Sequence, residues 1–458
     1  MNEGQKNIKC NKETQVKEKS IDESSKNSEN LREVRLGPKK IEIPKNWKIT
    51  KFGNVSKVQQ GLQIAKSERY KENKENRYRY ITVQHLNNPT DEKHKWYIEN
   101  PRESVTCEEK DILMTRTGNT GEVITGVEGV FHNNFFKVDF DREEVTREFL
   151  VYYLKSQIIQ NLLVSYAGLT TIPDLNHEDF KRIPLLLPAM EEQEKVASVL
   201  SNVDRAIQKT GEIIEQTQRV KKGLMQDLFT EGYYEHEVKK KEGRKIPEDW
   251  SLEPIGQLFD RIDSGGTPKR GEEKYWCDGE IPFVKIEDMT DNELEGVSST
   301  EEKVTQRSVD ENETKIFNEG AILFAIYGSI GKTAIAKRKL STNQAIVGLE
   351  DPNISRDYLR YCIDYHQPEL NSLSRQTTQA NIGQGILKKF KLPIPESDEE
   401  ADKIGEALKS LDKKIIETKE EKEQLQHLKK GLMQDLLTGE VRTDEGVEVL
   451  DEVVEVES

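Results

Sequence analysis

Two stretches of the chain carry apolar residues on alternating steps of four and three. In the first, Val196, Leu200, Val203, Ile207, Thr210, Ile214, Thr217, Leu224 and Leu228 follow the pattern, and Lys221 fills the one slot left over. In the second, Ile404, Leu408, Leu411, Ile415, Thr418, Leu425, Leu432 and Leu436 follow it, interrupted by Lys422 and Lys429. This spacing is a heptad seam and predicts two long helices. The first is expected from about Met190 to Phe229, led by Glu191 and Glu192 and closed by Gly232; the second is expected from about Asp398 to Leu437. A helix of roughly 39 residues spans ~60 Å and has too narrow an apolar stripe to bury alone, so the simplest partner for each is the other.

Elsewhere the apolar runs are short and separated by Gly- and Asn-rich turns. Tyr80-Ile81-Thr82-Val83 and Asp111-Ile112-Leu113-Met114-Thr115 read as strands, with a helix over Arg147 to Leu163. Further on, Ile281 to Val284, Ala321 to Ile326 and Ala334 to Ala336 read as strands too. The expected class is α/β (α+β), with two tandem mixed units divided by the long helices.

The two halves share one plan. Lys221-Lys222-Gly223-Leu224-Met225-Gln226-Asp227-Leu228 returns letter for letter as Lys429 to Leu436, and Ile43-Pro44-Lys45-Asn46-Trp47 answers Ile246-Pro247-Glu248-Asp249-Trp250. The offset is 203 residues at the tryptophans, 207 between Pro188 and Pro395, and 208 at the octapeptides. The expected organisation is a loose Lys-, Glu-, Asn- and Ser-rich arm over 1–40, a globular unit over 41–188, a helix over 189–232, a second unit over 233–395, a second helix over 396–439 and an acidic tail over 440–458. The basic run Lys239 to Lys245 reads as a link into the second unit.

Composition agrees and removes several function classes. A chain of 458 residues exceeds one comfortable core. With no run of eighteen apolar residues and no apolar signal core, it is expected to be soluble and cytoplasmic, with no membrane partner. Cys10, Cys107, Cys277 and Cys362 are scattered and suggest neither a zinc site nor a disulfide framework. The net charge of −15 is concentrated at the end: residues 396–458 hold 9 basic and 20 acidic side chains, whereas 44–188 hold 21 and 20. Local basic grooves therefore remain compatible with phosphate binding. Residues 233–395, with 23 basic and 28 acidic side chains, count modestly against a simple phosphate-driven binder.

The pattern resembles the specificity subunit of Type I restriction-modification systems, from Ile43 to Glu440. The matching pieces in the second half are Gly265-Gly266-Thr267-Pro268, Tyr275-Trp276, Ile281 to Val284, Gly328-Ser329-Ile330-Gly331-Lys332, Asn343-Gln344, Thr377 to Ile382 and Leu392 to Pro395. In the first half they are Asp111 to Met114, Gly118-Asn119-Thr120-Gly121, Asn133-Asn134, Thr170-Thr171 and Pro188. The resemblance implies two target-recognition domains, each reading one half of a split asymmetric site on double-stranded DNA. It implies an antiparallel coiled coil of the two helices, related by an internal pseudo-two-fold repeat, that holds the halves apart. It also implies two methyltransferase subunits docked on this scaffold, motor-nuclease subunits beyond them, and S-adenosylmethionine, ATP and magnesium on those partners rather than on this chain.

Catalytic and metal sites are not expected. Lys332-Thr333 after Gly331 lacks the earlier glycine of a phosphate loop, because Ile326 stands there. Asp174 with Asp179, Phe180 and Lys181 is a short-spaced echo of a nuclease carboxylate cluster, and no methyltransferase signature is found. The rival readings are a structural coiled-coil rod, which needs no elaborate α/β units, and a fragment of a fused enzyme, which should carry catalytic motifs.

For DNA contact the candidates in the first half are Arg77, Arg79 and Gln84, the turn residues Thr115, Arg116 and Asn119, and Thr170 and Thr171. A strand turns alternate members to opposite faces, so Tyr78 and Tyr80 suit a core as well. In the second half the candidates are Lys269, Arg270, Lys285, Ser329, Lys332, Arg375, Gln376, Thr377 and Thr378. The identical Gln226-Asp227 and Gln434-Asp435 are candidates for docking two equal partners. Packing of helix ends against the globular units would impose the same identity.

Overall fold

The computed structural model describes residues 31–88, 90–117, 119–168, 174–292, 294–374 and 382–443. It divides into two compact units. One comprises residues up to Lys209 together with those from Glu423, and the other comprises Thr210–Lys422. Each contains one globular domain, the first part of one long helix and the last part of the other.

In the first unit, strand Lys48–Lys51 pairs antiparallel with Pro184–Leu187, so the domain closes where it began. Between them lie two four-stranded sheets. One is antiparallel, in the order Ser56–Gln60, Phe135–Phe140, Ile112–Thr115, Val123–Ile124. The other runs Tyr97–Glu99, Arg77–Ile81, Gly129–Phe131, Thr106–Cys107, with its central pair parallel. The core joins Phe136, Val138, Phe149 and Tyr153 to Val196 and Leu200 of the first long helix and Leu436 and Leu437 of the second.

The second unit has the same topology. Ser251–Pro254 pairs with Lys391–Ile394. The antiparallel sheet runs Phe259–Ser264, Ile346–Pro352, Ile322–Ala325, Thr333–Ile335. The mixed sheet runs Lys303–Val304, Ile281–Val284, Leu340–Thr342, Ile316–Phe317. Here Leu228 and Phe229 of the first helix and Ala401, Ile404 and Leu408 of the second enter the core.

The long helices span Met190–Glu231 and Asp398–Thr438. Gly232 and Gly439 end them in the left-handed region, with φ of 86° and 75°. Every seam position named from the heptads is buried or half-buried. Within the first unit Asp204 meets Lys429 and Glu192 meets Arg442; within the second Lys221 meets Asp412 and the Tyr233 amide meets Glu400. In each case one sequence rises as the other falls, which is antiparallel packing.

The lysines that interrupt the seam have partners. Lys221 Nζ lies 2.5 Å from Asp412 Oδ1, and the Tyr361 hydroxyl donates to Asp412 Oδ2 at 2.7 Å. In the first unit Lys429 lies 2.6 Å from Asp204 and the Tyr152 hydroxyl donates to it at 2.8 Å. Burial, with the adjacent carboxylate, pushes both phenols well above their ordinary pKa.

Four expectations are corrected. The loose arm was expected to reach residue 40, but Leu31–Leu36 and Lys39–Pro44 form a hairpin turned at Gly37, because Leu36 and Ile43 bury against the core. The basic link Lys239 to Lys245 is the equivalent hairpin, Val238–Lys241 with Arg244–Pro247, turned at Glu242 and Gly243. The single helix expected over Arg147 to Leu163 is two, Arg147–Lys155 and Gln157–Ala167, broken where Ser156 is extended. Thr82 and Val83 also leave the expected strand, since Thr82 caps the helix Val83–Asn87. Residues 1–30 and 444–458 lie outside the described residues.

The two seam carboxylates, one buried and one half-buried, give a graded test. Asp412→Ala strands a lysine only 17% exposed, and is expected to destabilise by about 3 kcal/mol. Asp204→Ala, in a pair exposed 24% and 22%, should cost about 1 kcal/mol. Urea unfolding of both variants reads the difference.

Candidate nucleic-acid interface

Each domain builds the same loop frame at one end of its antiparallel sheet. In the first, Thr115 N donates to Glu122 O (3.0 Å), Gly121 N to Thr115 O (2.9 Å) and Arg116 N to Asn134 O (2.6 Å), while Leu175 N donates to Arg116 O (3.0 Å). In the second, Ala325 N donates to Lys332 O (2.9 Å), Gly331 N to Ala325 O (3.0 Å) and Ile326 N to Ala345 O (2.8 Å), while Ile382 N donates to Ile326 O (3.1 Å). Gly121 and Gly331, at φ of 90° and 84°, make the turn that an L side chain resists.

Beside each loop lies a pair of polar side chains at matched positions. Asn133 Nδ2 donates to Gln63 Oε1 at 3.0 Å, and Gln60 Nε2 to Asn133 O at 2.9 Å. In the other domain Thr267 Oγ1 donates to Gln344 Oε1 at 2.6 Å. The residue before each is fixed by the same bond: the Asn134 amide donates to His132 Nδ1, and the Ala345 amide to Asn343 Oδ1, both at 3.0 Å. Burial, then Arg69, lowers the His132 pKa, which keeps that nitrogen available as an acceptor. Identical backbones thus present an Asn-Gln pair in one domain and a Gln-Thr pair in the other. Amides of this kind form two-point contacts with base edges.

The candidates named from sequence separate clearly. Thr115 is fully buried, accepts from the Glu122 amide at 2.9 Å and donates to the Asn119 carbonyl, so it shapes the loop and cannot face a ligand. Asn119 is exposed at the tip. Arg116 is held in a two-point pair with Asp174, Nε to Oδ1 at 2.6 Å and Nη2 to Oδ2 at 2.9 Å. The guanidinium holds the Asp174 carboxyl below its usual range. That pair binds the loop to the segment after residue 173. Asp174 is therefore an ion-pair partner, and Asp179 lies in the turn capped by Asn176, which accepts from the Asp179 amide at 2.9 Å.

Arg77 bonds Glu99 at 3.1 Å and lies 3.7 Å over the Tyr70 ring, a structural role on the strand. The Arg79 Nε is buried without a hydrogen-bond partner, and Gln84 is exposed. Tyr80 belongs to the core and Tyr78 is exposed. In the second domain Arg270 and Lys285 converge on Glu302, at 2.6 and 3.1 Å. Burial opposes the Glu302 charge, but these two cations outweigh it and lower its pKa. Lys269 is exposed, 3.9 Å from Glu313; Ser329 and Lys332 are half-buried in the loop frame. Thr170, Thr171, Arg375, Gln376, Thr377 and Thr378 lie outside the described residues. Gln226, Asp227 and Gln434 are exposed on the long helices and Asp435 is half-buried.

Sequence reasoning did not single out Gln63, Asn133, Thr267 or Gln344 as contacts. Asn133-Asn134 and Asn343-Gln344 were visible as matching pieces, but their pairing with residues some seventy positions earlier is a tertiary fact. Among the described residues no group of three or more His, Cys, Asp or Glu is placed to hold a metal, and no helix is long and apolar enough to cross a membrane.

The family model for the Type I restriction modification DNA specificity domain matches residues 44–219 and again 247–427. The chain is 29% identical over 417 residues to the MjaVIII specificity subunit of Methanocaldococcus jannaschii, covering 88% of this chain and 94% of that one. It is 26% identical over 245 residues to the EcoR124I/EcoR124II specificity subunit of Escherichia coli, covering 51% and 56%. Its fold is like that of the S subunit from M. genitalium, with a TM-score of 0.53 at 18% identity, over 90% of this chain and 98% of that one. A chain solved in a study of assembly of the type I R-M system gives 0.56 at 17% identity, over 88% and 100%. The duplicated loop frame, the paired long helices and the doubled family match place this chain in the Type I restriction-modification specificity family, as a DNA-recognition scaffold with two specificity domains.

Proposed function

We propose that the chain is a non-catalytic subunit whose two domains each bind one half of a split, asymmetric double-stranded DNA site, while the long helices set the spacing and dock two methyltransferase subunits. Motor-nuclease subunits join that complex, and S-adenosylmethionine, ATP and magnesium act on the partners. The observation that carries the reading is the repeated loop frame bearing different side chains, Asn133 with Gln63 and Gln344 with Thr267. A shared frame with different polar tips is what two different half-sites require.

The docking reading is supported by a face repeated on both helices. Val220 and Leu428 occupy equivalent positions 208 residues apart and, at 58% and 51%, are the most exposed large apolar side chains among the described residues. One turn on, Gly223 and Gly431 are exposed, and a Cβ added at either meets nothing within 4 Å. An exposed helical glycine costs about 1 kcal/mol relative to alanine. Close approach of a partner explains keeping it at both places.

Mapping of methylated bases in cells that express this chain with its methyltransferase partner tests the function. A split adenine-methylated sequence that depends on this chain is the expected result; no sequence-specific methylation from a confirmed complex contradicts it. Asn133→Ala and Gln344→Ala should each lower affinity about tenfold for its own half-site only, and Arg116→Ala should weaken the first half-site with the fold intact, all read by competition binding. Gly223→Leu with Gly431→Leu should hold or raise the melting temperature yet weaken methyltransferase binding at least about tenfold, read by calorimetric titration.

A further inference from the structure

Each unit contains a clasp built from three segments of chain. In the first, Glu192, in the opening turn of the first long helix, accepts from Trp47 Nε1 at 3.2 Å and from Arg442, Nε to Oε1 at 2.5 Å and Nη2 to Oε2 at 2.9 Å. Arg442 Nη1 also donates to Asn46 Oδ1 at 3.2 Å. In the second, Glu400, in the opening turn of the second long helix, accepts from Trp250 Nε1 at 3.1 Å, from the Tyr233 amide at 2.8 Å and from His236 Nε2 at 2.8 Å. His236 Nδ1 lies 3.1 Å from Asp249 Oδ2. Trp47 and Trp250, Asn46 and Asp249, and Glu192 and Glu400 are equivalent in the repeat, and the cation comes in each case from the segment just after the other long helix. The tryptophan begins the domain and the glutamate begins the helix that follows it. The clasp therefore fastens each recognition domain to its helix pair.

The two clasps differ in the cation. A guanidinium stays charged across the physiological range, whereas an imidazole titrates within it. We infer that His236 is a positioning residue that makes the attachment of the second recognition domain depend on pH, while that of the first does not. Both imidazole nitrogens face carboxylate oxygens, so only the doubly protonated ring can donate to both. Glu400 is 3% exposed, so bulk solvent does not reach it to replace a lost donor. The charged groups facing His236 are Glu400 from the second long helix and Asp249 from the turn before Trp250; the Trp250 ring packs edge-on at 6.4 Å, and Glu399 accepts from the neighbouring Tyr234 hydroxyl at 3.4 Å. Burial by itself lowers the imidazole pKa, but the bonds and charges of Glu400 and Asp249 outweigh it and leave the value raised. A raised value means that the clasp is complete below the ordinary histidine range and is lost as pH rises through the folded value.

Amide exchange of the full chain between pH 6 and pH 9, corrected for intrinsic hydroxide catalysis, tests this without DNA or partner. Peptides covering Tyr233 to Trp250 should lose protection by roughly fivefold or more as pH rises, whereas those covering Pro44 to Trp47 and Glu191 to Lys195 should not. His236→Arg should flatten the response of the second clasp, and Arg442→His should transfer one to the first. An equal pH response at both clasps of the unaltered chain, or an unchanged profile in a folded His236→Arg variant, overturns the inference.

Discussion

Inside each unit the long helices are tied together by a carboxylate, buried at Asp412 and half-buried at Asp204, that receives a lysine from the opposite helix and a tyrosine hydroxyl from the recognition domain. Asp412 with Lys221 and Tyr361, and Asp204 with Lys429 and Tyr152, are the same three-way contact made twice. A charge placed in an apolar seam is costly unless its partners are fixed in position. The contact therefore specifies register and direction: a slip of one residue would leave a carboxylate, an ammonium and a phenol unpaired. That gives a physical reason for the identical Lys in both octapeptides, independent of any partner.

From that constraint the rest follows in order. The helix pair supplies an apolar flank that each domain completes with its own core, through Leu436 and Leu437 in the first unit and Leu228 and Phe229 in the second. The tryptophan at the start of each domain and the glutamate at the start of the following helix fasten the domain at its base. With the base held, the loops vary in side chain while their matched backbone bonds agree to within 0.2 Å. Stability and the proposed base reading thus fall on different residues of the same repeat.

The seam, the helix ends and the repeat were legible because heptads, a terminal glycine and an eight-residue identity are local signals. Lys221 and Lys429 looked like interruptions, since their partners are about two hundred residues away. The hairpins at 31–44 and 238–247 escaped because charged residues fill their exposed faces, leaving Leu36, the Ile43-Pro44 pair and the Ile246-Pro247 pair to bury. Among candidate contact residues, sequence favoured cations, yet Arg77, Arg116, Arg270 and Lys285 each pair with a carboxylate of their own domain. The amide and hydroxyl tips were hidden because they pair between loops some seventy residues apart, which residue type alone does not report.

The most direct test is to exchange the second domain alone, residues 247–395, for that of another specificity subunit and to map the methylated target. The account predicts that one half of the split sequence changes while the other half stays as it was. A target altered in both halves, or in neither, would contradict the assignment of one half-site to each domain.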